Sequence, residues 1–470
     1  MTERLDILLF APPIFANGTL GRDKLANDNF QDKDIPRGLL SLASFLKSSG
    51  MEARAVMLDS FFNAPTNSFF ELVTKTNSIV KRKINEYQPR FIGIGMMFGL
   101  TERIVVEMAR LIKASFPETP IIIGGNHASF VDHRILAVDN ATGIDMVVRG
   151  EGERTLLELL MGMSPAAVQG VSFVSDSGCV VRNKDRKPLP LHDFPENDYN
   201  LIDIGENSDI SQFNHTVQYA RGCMFNCSFC TNRRMWGGGV RPVCENTFRK
   251  EVRDVLGFNS AISKTPVTVI MDDDLFLNER HWGTMLPILE EETRGQSFYA
   301  GQTRVSSVMN DDKKTHDMLE WASKIGVRVI ILGVESGSQT ILDAMNKRCK
   351  AEWVERACKN LRKHGISPAA FWMIGHPGAS VVEEKKSIEL MEGLLYLEMF
   401  DILEVHLTIP FPGTSMRQDP RVQLLVDEQK EVDHYFIIGE EKPVHRLINP
   451  ANGEVTMSED QISEFYRYAL

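Results

Sequence analysis

The chain lacks the run of about 18 apolar residues that a membrane-spanning helix needs. It also lacks any run of five or more basic residues of the kind that tracks a phosphate backbone. Cysteine is scarce, with seven in 470 positions, too few for a disulfide framework in a chain of this length. Low-complexity segments and long-period repeats are missing as well. The formal net charge of −11 argues against a polyanionic partner, so nucleic acid is not expected. The opening segment MTERLDILLFAPPIF carries Glu3 and Asp6 around an apolar stretch too short for a secretory signal. Together these absences lead to the expectation of a cytoplasmic protein that acts on a small molecule.

Hydrophobic residues make up 43% and charged residues 24%, an ordinary globular composition, and the length favours two or three domains. The first 190 residues alternate short apolar runs with amphipathic segments. Strands are expected at Asp6 to Phe10, Ala53 to Leu58, Phe91 to Met96, Ile121 to Ile123 and Met146 to Val148. Helices are expected from Arg37 to Lys47 and from Glu102 to Ala114, the latter with Thr101 as its N-cap. This βαβ rhythm calls for an α/β fold with a Rossmann-like parallel sheet, doubly wound, whose ligand sits beyond the strand C-termini.

The stretch from Lys184 to Asn207, rich in Pro, Asp and Asn, reads as a linker reaching to about residue 212. A second alternating series follows over 213–415, with strands at Val217 to Tyr219, Val267 to Met271, Phe298-Tyr299, Val327 to Leu332, Ala369 to Ile374 and Leu403 to Ile409. Helical patterns such as His316 to Lys324 and Trp353 to His364 separate them. Six such strands fit a partial (β/α)6 barrel with its chemistry at the strand C-terminal ends. Residues 416–470 form a C-terminal extension, expected to be a small helical region that closes with a helix from Glu459 to Tyr468.

Three of the seven cysteines fall within Tyr219-Ala-Arg-Gly-Cys-Met-Phe-Asn-Cys-Ser-Phe-Cys230, a C-x3-C-x2-C triplet directly after an expected strand. Thiolates are the usual ligands of iron–sulfur clusters, and four of them complete a four-iron cube. Three leave one iron open, so Cys223, Cys227 and Cys230 are the candidate metal ligands and catalytic residues. A zinc site would want a fourth Cys or His at ribbon or finger spacing, and the nearby Cys244 has no C-x2-C partner. Cys179, Cys244, Cys349 and Cys358 read as ordinary semi-buried thiols.

The triplet with Phe229 before its last cysteine resembles the signature of radical S-adenosylmethionine (SAM) enzymes. That resemblance implies a [4Fe–4S] cluster whose open iron chelates SAM, with Phe229 shielding it from water. It also implies SAM contacts at later strand ends. In Ile270-Met-Asp-Asp-Asp-Leu-Phe276, Asp273 and Asp274 are candidates for the methionine amine. Arg304, in Gln302-Thr-Arg304, suits the carboxylate. Glu335, in Leu332-Gly-Val-Glu-Ser-Gly337, suits the ribose hydroxyls, and Ser336 beside it is a further candidate cofactor contact. Ile374 and Pro412, in Met373-Ile-Gly-His-Pro-Gly378 and Ile409-Pro-Phe-Pro-Gly-Thr414, resemble adenine-side positions. His376 reads equally as a substrate-facing residue or a plain loop histidine.

A Rossmann-like domain ahead of the triplet is similar to that of the cobalamin-binding subgroup, through Pro36-Arg-Gly-Leu-Leu40, Gly124-Gly-Asn-His127 and Arg149-Gly-Glu-Gly-Glu153. No D-x-H-x-x-G motif occurs, so no histidine is assigned as lower cobalt ligand. The resemblance implies cobalamin as a further cofactor, an external one-electron reductant of flavodoxin or ferredoxin type, and methylation of an unactivated carbon. Its alternatives are a radical SAM dehydratase, rearrangement or cyclisation enzyme with a vestigial cobalamin domain, and a non-catalytic cobalamin carrier. Methylthiolation of tRNA would place further cysteines in the first domain, where the first 170 residues contain none.

Overall fold

Strand β1 (Ile7–Ala11) sends alternate side chains into two different cores, because a strand's side chains point to opposite faces with a period of two. Ile7 and Leu9 join Leu40, Ala43 and Leu46 on one face, while Leu8 and Phe10 join Ile104, Val105 and Met108 on the other. A strand covered on both faces must be apolar throughout, which is why β1 reads as an unbroken run. The computed structural model describes the whole chain except residues 1–3, 14–33, 63–67, 138–141, 207, 211–212, 214, 263–266, 272–274, 279, 296, 426–442 and 470. Two compact units result, one built on Met1–Asn214 and the other chiefly on His215–Arg233, Gly237–Val426 and Glu441–Leu470.

In the first unit β1, β2 (Ala53–Met57), β3 (Phe91–Gly95), β4 (Ile121–Gly124) and β5 (Met146–Val148) lie parallel in the order 2-1-3-4-5. This is the flavodoxin-like doubly wound order. Helices α1 (Arg37–Ser48) and α5 (Glu153–Leu160) cover one face, and α2 (Phe69–Tyr87), α3 (Glu102–Ser115) and α4 (Asn126–Ile135) cover the other. The sheet is not purely parallel. An antiparallel hairpin, β6 (Val171–Val174) and β7 (Val180–Arg182), extends it beyond β5, and β8 (Ile202–Asp203) adds a parallel edge beside β2.

Two local expectations are corrected here. Thr101 precedes α3 but does not cap it: it already sits in a 3-10 turn with helical backbone angles, and its hydroxyl donates to Phe98 O over 2.8 Å. The segment read as a linker is fastened along the first unit. Leu191, Phe194 and Leu201 are buried, Asp198 N–H donates to Ser44 Oγ, and Gly205 N–H donates to Ser60 Oγ.

The second unit is a six-stranded, all-parallel sheet: β9 (Thr216–Val217), β12 (Val267–Met271), β13 (Ser297–Arg304), β14 (Val327–Glu335), β15 (Ser367–Ile374) and β16 (Ile402–Leu407) are neighbours in chain order. It is the expected partial (β/α)6 barrel. A short ribbon of β10 (Ala220–Arg221) and β11 (Arg241–Pro242) brackets the cysteine loop. Helices α6 (Glu245–Ile262), α7 (Trp282–Thr293), α8 (Lys313–Ile325), α9 (Gln339–Ala344), α10 (Trp353–Lys363) and α11 (Val381–Tyr396) connect the strands. Side chains start several of them: Asp312 accepts from Thr315 N–H, Ser338 from Ile341 N–H and Ser380 from Glu383 N–H.

Among the described residues of the C-terminal region the α-helix is α12 (Glu459–Ala469), at its end. Before it runs an antiparallel sheet of β17 (Val422–Leu424), β18 (His445–Ile448) and β19 (Val455–Met457). Strands of three or four residues are too short to show a period-two pattern. Leu447, Met457 and Ile462 complete the barrel core. Among the described residues no helix is long and apolar enough to cross a membrane.

Candidate functional site

The loop from Cys223 to Cys230 is held by contacts from the end of α9 and from the segment after β16. Ser228 N–H donates to Met345 O at 2.8 Å, Met416 N–H donates to Ser228 O at 2.9 Å, and Asn346 Nδ2 donates to Asn226 O at 2.8 Å. Gly222, just before the first cysteine, has φ +97, a backbone region costly to any residue with a Cβ. Cys227 is buried, and Cys223 and Cys230 are half-buried. Among the described residues no three His, Cys, Asp or Glu side chains converge as a single metal ion requires. A four-iron cube takes each thiolate on a different iron, so its donors stand further apart.

Arg304 ends β13 beside this loop. Its Nη1 donates to Cys227 Sγ over 3.3 Å, and its guanidinium lies 3.8 Å from the centroid of the Phe225 ring. Arg304 is 6% exposed, and its Nε and Nη2 have no hydrogen-bond partner among the described residues. Buried guanidinium donors left unpaired are expensive, and the geometry they match is a carboxylate held by two parallel hydrogen bonds. The residues therefore fit a carboxylate-bearing ligand next to the thiolates.

Glu335 ends β14 where the register with β15 is irregular, and its φ of +71 is rare for a residue with a side chain. Its carboxylate meets Lys347 Nζ at 2.5 Å, both groups being buried. A Cβ on Gly333 would stand 2.8 Å from Glu335 Oε1 and from Lys347 Nζ, so the glycine makes room for the pair. Lys347 also lies 5.6 Å from the Phe229 ring, which packs on the barrel core. Sequence reasoning passed over Lys347, and a lysine twelve residues beyond Glu335 carries no local signal.

The other candidates separate. Ser336 is fully buried and shares a 3.0 Å hydrogen bond with Ser387, which also receives Trp372 Nε1–H and Gly337 N–H; its hydroxyl is committed inside the protein. Ile374 is fully buried in the core, whereas Pro412 is half-buried in the loop after β16. Asp273 and Asp274 lie outside the described residues. His376 is not open to solvent: it is 1% exposed, Gly378 N–H donates to its Nδ1, and burial pushes its pKa down to about 3. Of the remaining thiols, Cys179 is exposed and Cys244 half-buried. Cys349 and Cys358 are buried, and that burial pushes their pKa values up to about 11 and about 12.

In the first unit the switch between β1 and β3 marks the ligand crevice of a doubly wound sheet. Met97 and Phe98, just past β3, are 45% and 54% exposed there, so apolar side chains stand at the C-terminal end of the strand. Gly125, at φ +115, could not take a Cβ, which would lie 2.7 Å from Met96 O. His127 is buried and bonded to Glu102 at 2.7 Å, and Arg149 is buried against Asp185 at 2.8 Å, so these motif residues brace the strand ends.

Both units match known families. Residues 24–160 match the B12 binding domain, and residues 217–391 match the radical SAM superfamily. The chain is 25% identical over 353 residues to the anaerobic magnesium-protoporphyrin IX monomethyl ester cyclase of Rubrivivax gelatinosus, an alignment covering 72% of this chain and 59% of that protein. It is 22% identical over 405 residues to the hopanoid C-3 methylase of Methylococcus capsulatus, covering 85% and 71%. Among solved structures it resembles the radical SAM methyltransferase TsrM from Kitasatospora setae with cobalamin and [4Fe–4S] cluster bound. The TM-score is 0.67 at 16% identity, over 90% of this chain and 81% of that one, which is a likeness of fold. A partial parallel barrel with a three-cysteine loop after its first strand, and a flavodoxin-order sheet ahead of it in the chain, agree with these two matches. The chain belongs to the radical SAM superfamily, in the group that carries a B12 binding domain ahead of the barrel. A [4Fe–4S] cluster and SAM come with the one domain, and cobalamin with the other.

Proposed function

We propose that this protein methylates an unactivated carbon of a small-molecule substrate, using SAM both to start the radical reaction and to supply the methyl group. The observation that carries the reading is Arg304, whose buried guanidinium touches Cys227 Sγ with one arm and holds two further donors without partners among the described residues. Cys223, Cys227 and Cys230 hold three irons of the cluster. Arg304 receives the SAM carboxylate, and Asp273 or Asp274 receives its amine. Glu335, oriented by Lys347, accepts from the ribose hydroxyls, and Pro412 and the backbone of the strand that ends at Ile374 line the adenine side. Phe229 keeps water from the thiolates. When bound, the cofactors supply reductive cleavage of SAM to a hydrogen-abstracting radical and a corrin-borne methyl group. The electron comes from a flavodoxin- or ferredoxin-type donor in the reducing cytoplasm.

Radical ring closure is the second reading, favoured by the cyclase among the relatives. The two differ in products. Anaerobically reconstituted protein given SAM, reductant and cobalamin is expected to release S-adenosylhomocysteine as well as 5′-deoxyadenosine, the former only when cobalamin is supplied. Formation of 5′-deoxyadenosine alone, indifferent to cobalamin, would contradict methylation and leave the ring-closing reading.

A further inference from the structure

Ser228 stands between the last two cysteines of the triplet, and each of its polar groups is claimed by a different segment of the second unit. Its N–H donates to Met345 O, at the C-terminal end of α9, at 2.8 Å. Its C=O accepts from Met416 N–H after β16 at 2.9 Å and from Ser415 Oγ at 3.2 Å. Its Oγ lies 2.7 Å from Nε2 of His376, in the loop after β15. Because His376 Nδ1 accepts from Gly378 N–H at 3.1 Å, the ring proton is on Nε2, and the imidazole donates to Ser228.

The imidazole is itself gripped from behind. Gly375 N–H donates to Glu384 Oε1 at 2.7 Å, and Gly375 O accepts from His445 Nε2 at 2.8 Å. Gly375 has φ +87, and a Cβ there would meet Ile462 of α12 at 2.8 Å. Glu384 belongs to α11 and His445 to β18, so a helix and the C-terminal sheet both fix the peptide that carries the ring.

We propose that His376 is a positioning residue of the cluster loop: through Ser228 it sets where Cys227 and Cys230 present their sulfurs. The arrangement resembles the hydrogen bonds behind metal-ligating side chains, whose loss loosens a site without removing a ligand. An apolar side chain at 376 would fill the same buried space and leave the Ser228 hydroxyl without its donor. Glutamine keeps a donor near the Nε2 position and is the conservative replacement.

This inference rests on the cysteines ligating the cluster, and the experiment separates the two claims. Wild type, Ser228→Ala, His376→Leu, His376→Gln and the double variant Ser228→Ala/His376→Leu are reconstituted anaerobically as full chains. Iron per chain, the paramagnetic resonance spectrum of the reduced cluster with SAM, and the SAM cleavage rate are then measured. Wild type without a cluster would overturn the ligation reading itself. With a cluster present, Ser228→Ala and His376→Leu are each expected to alter the SAM-bound spectrum and slow cleavage about tenfold, the worth of one well-placed hydrogen bond. The double variant is expected to be no worse than either single one, and His376→Gln to stay near wild type. If His376→Leu does not fold, Ser228→Ala and His376→Gln carry the test. An unaltered spectrum and rate in Ser228→Ala, or losses that multiply in the double variant, would overturn the proposal.

Discussion

Arg304 Nη1 donates to Cys227 Sγ across 3.3 Å, from a strand end that is 77 residues away in sequence. A cationic donor on a thiolate stabilises the reduced, more negative state of a cluster bound there, and hydrogen bonds to the sulfurs are one of the ways a protein sets the potential. Arg304→Met is therefore expected to lower the midpoint potential of the cluster. It should also weaken SAM binding by about tenfold or more, the cost of losing a charge-assisted pair. Voltammetry and a SAM titration on the same preparation check both effects, and an unchanged SAM dissociation constant would remove Arg304 from the SAM site.

The Glu335–Lys347 pair is buried on both sides, so its halves are unequal to remove singly. Lys347→Met should destabilise the second unit by about 3–5 kcal/mol, because it leaves a buried carboxylate without a counterion. Adding Glu335→Gln should return most of that loss while SAM affinity stays low. Denaturant midpoints of the single and double variants decide the matter; equal losses in both would mean that the pair is not coupled.

The strand ends that form the site were legible because each follows a short apolar run, and the cysteine triplet because its spacing is rare by chance. What lay beyond reach was side-chain pairing across loops. Nothing near Lys347 marks it as the partner of Glu335, and nothing in Gly375-His376-Pro377 shows that the ring is turned inward. Helix α2 went unassigned although Ser68 and Glu71 form a capping-box pattern at its start, where Ser68 Oγ accepts from Glu71 N–H. Its buried face is interrupted by Thr76 and Lys83, and the buried Lys83 is paired with Asp203, from β8, at 2.7 Å and with Glu86 at 3.0 Å. Ser336 was misplaced for a related reason: its neighbour Glu335 takes the unusual backbone angle, and the serine turns into the core.

Burial pushes the Glu384 carboxyl up to about 7 against the opposing pull of the Gly375 N–H. Between its ordinary 4.5 and about 7 the folded protein holds a proton there that the unfolded chain has lost, so stability falls as pH rises through that window and is level above it. Glu384→Gln should remove this dependence. At pH 8 the variant should be more stable than wild type by roughly 2–4 kcal/mol, and at pH 4.5 nearly equal to it. Urea midpoints at the two pH values test this, and a constant difference would show that Glu384 does not titrate in that range.

In the first unit, Gly125→Ala should cost about 2 kcal/mol or more, since a Cβ there would press on the Met96 carbonyl from a backbone angle that alanine avoids. A melting temperature equal to that of wild type would show that the β4–α4 turn can relax.

Everything rests on the three cysteines, so the most direct measurement compares them with the other thiols. Iron content and 5′-deoxyadenosine formation are measured in anaerobically reconstituted Cys223→Ala, Cys227→Ala and Cys230→Ala, beside Cys244→Ala and Cys358→Ala. Close to four irons per chain and SAM cleavage are expected in wild type and the last two, and no cleavage from any of the first three, although they fold. Cleavage at the wild-type rate by Cys227→Ala would contradict the account.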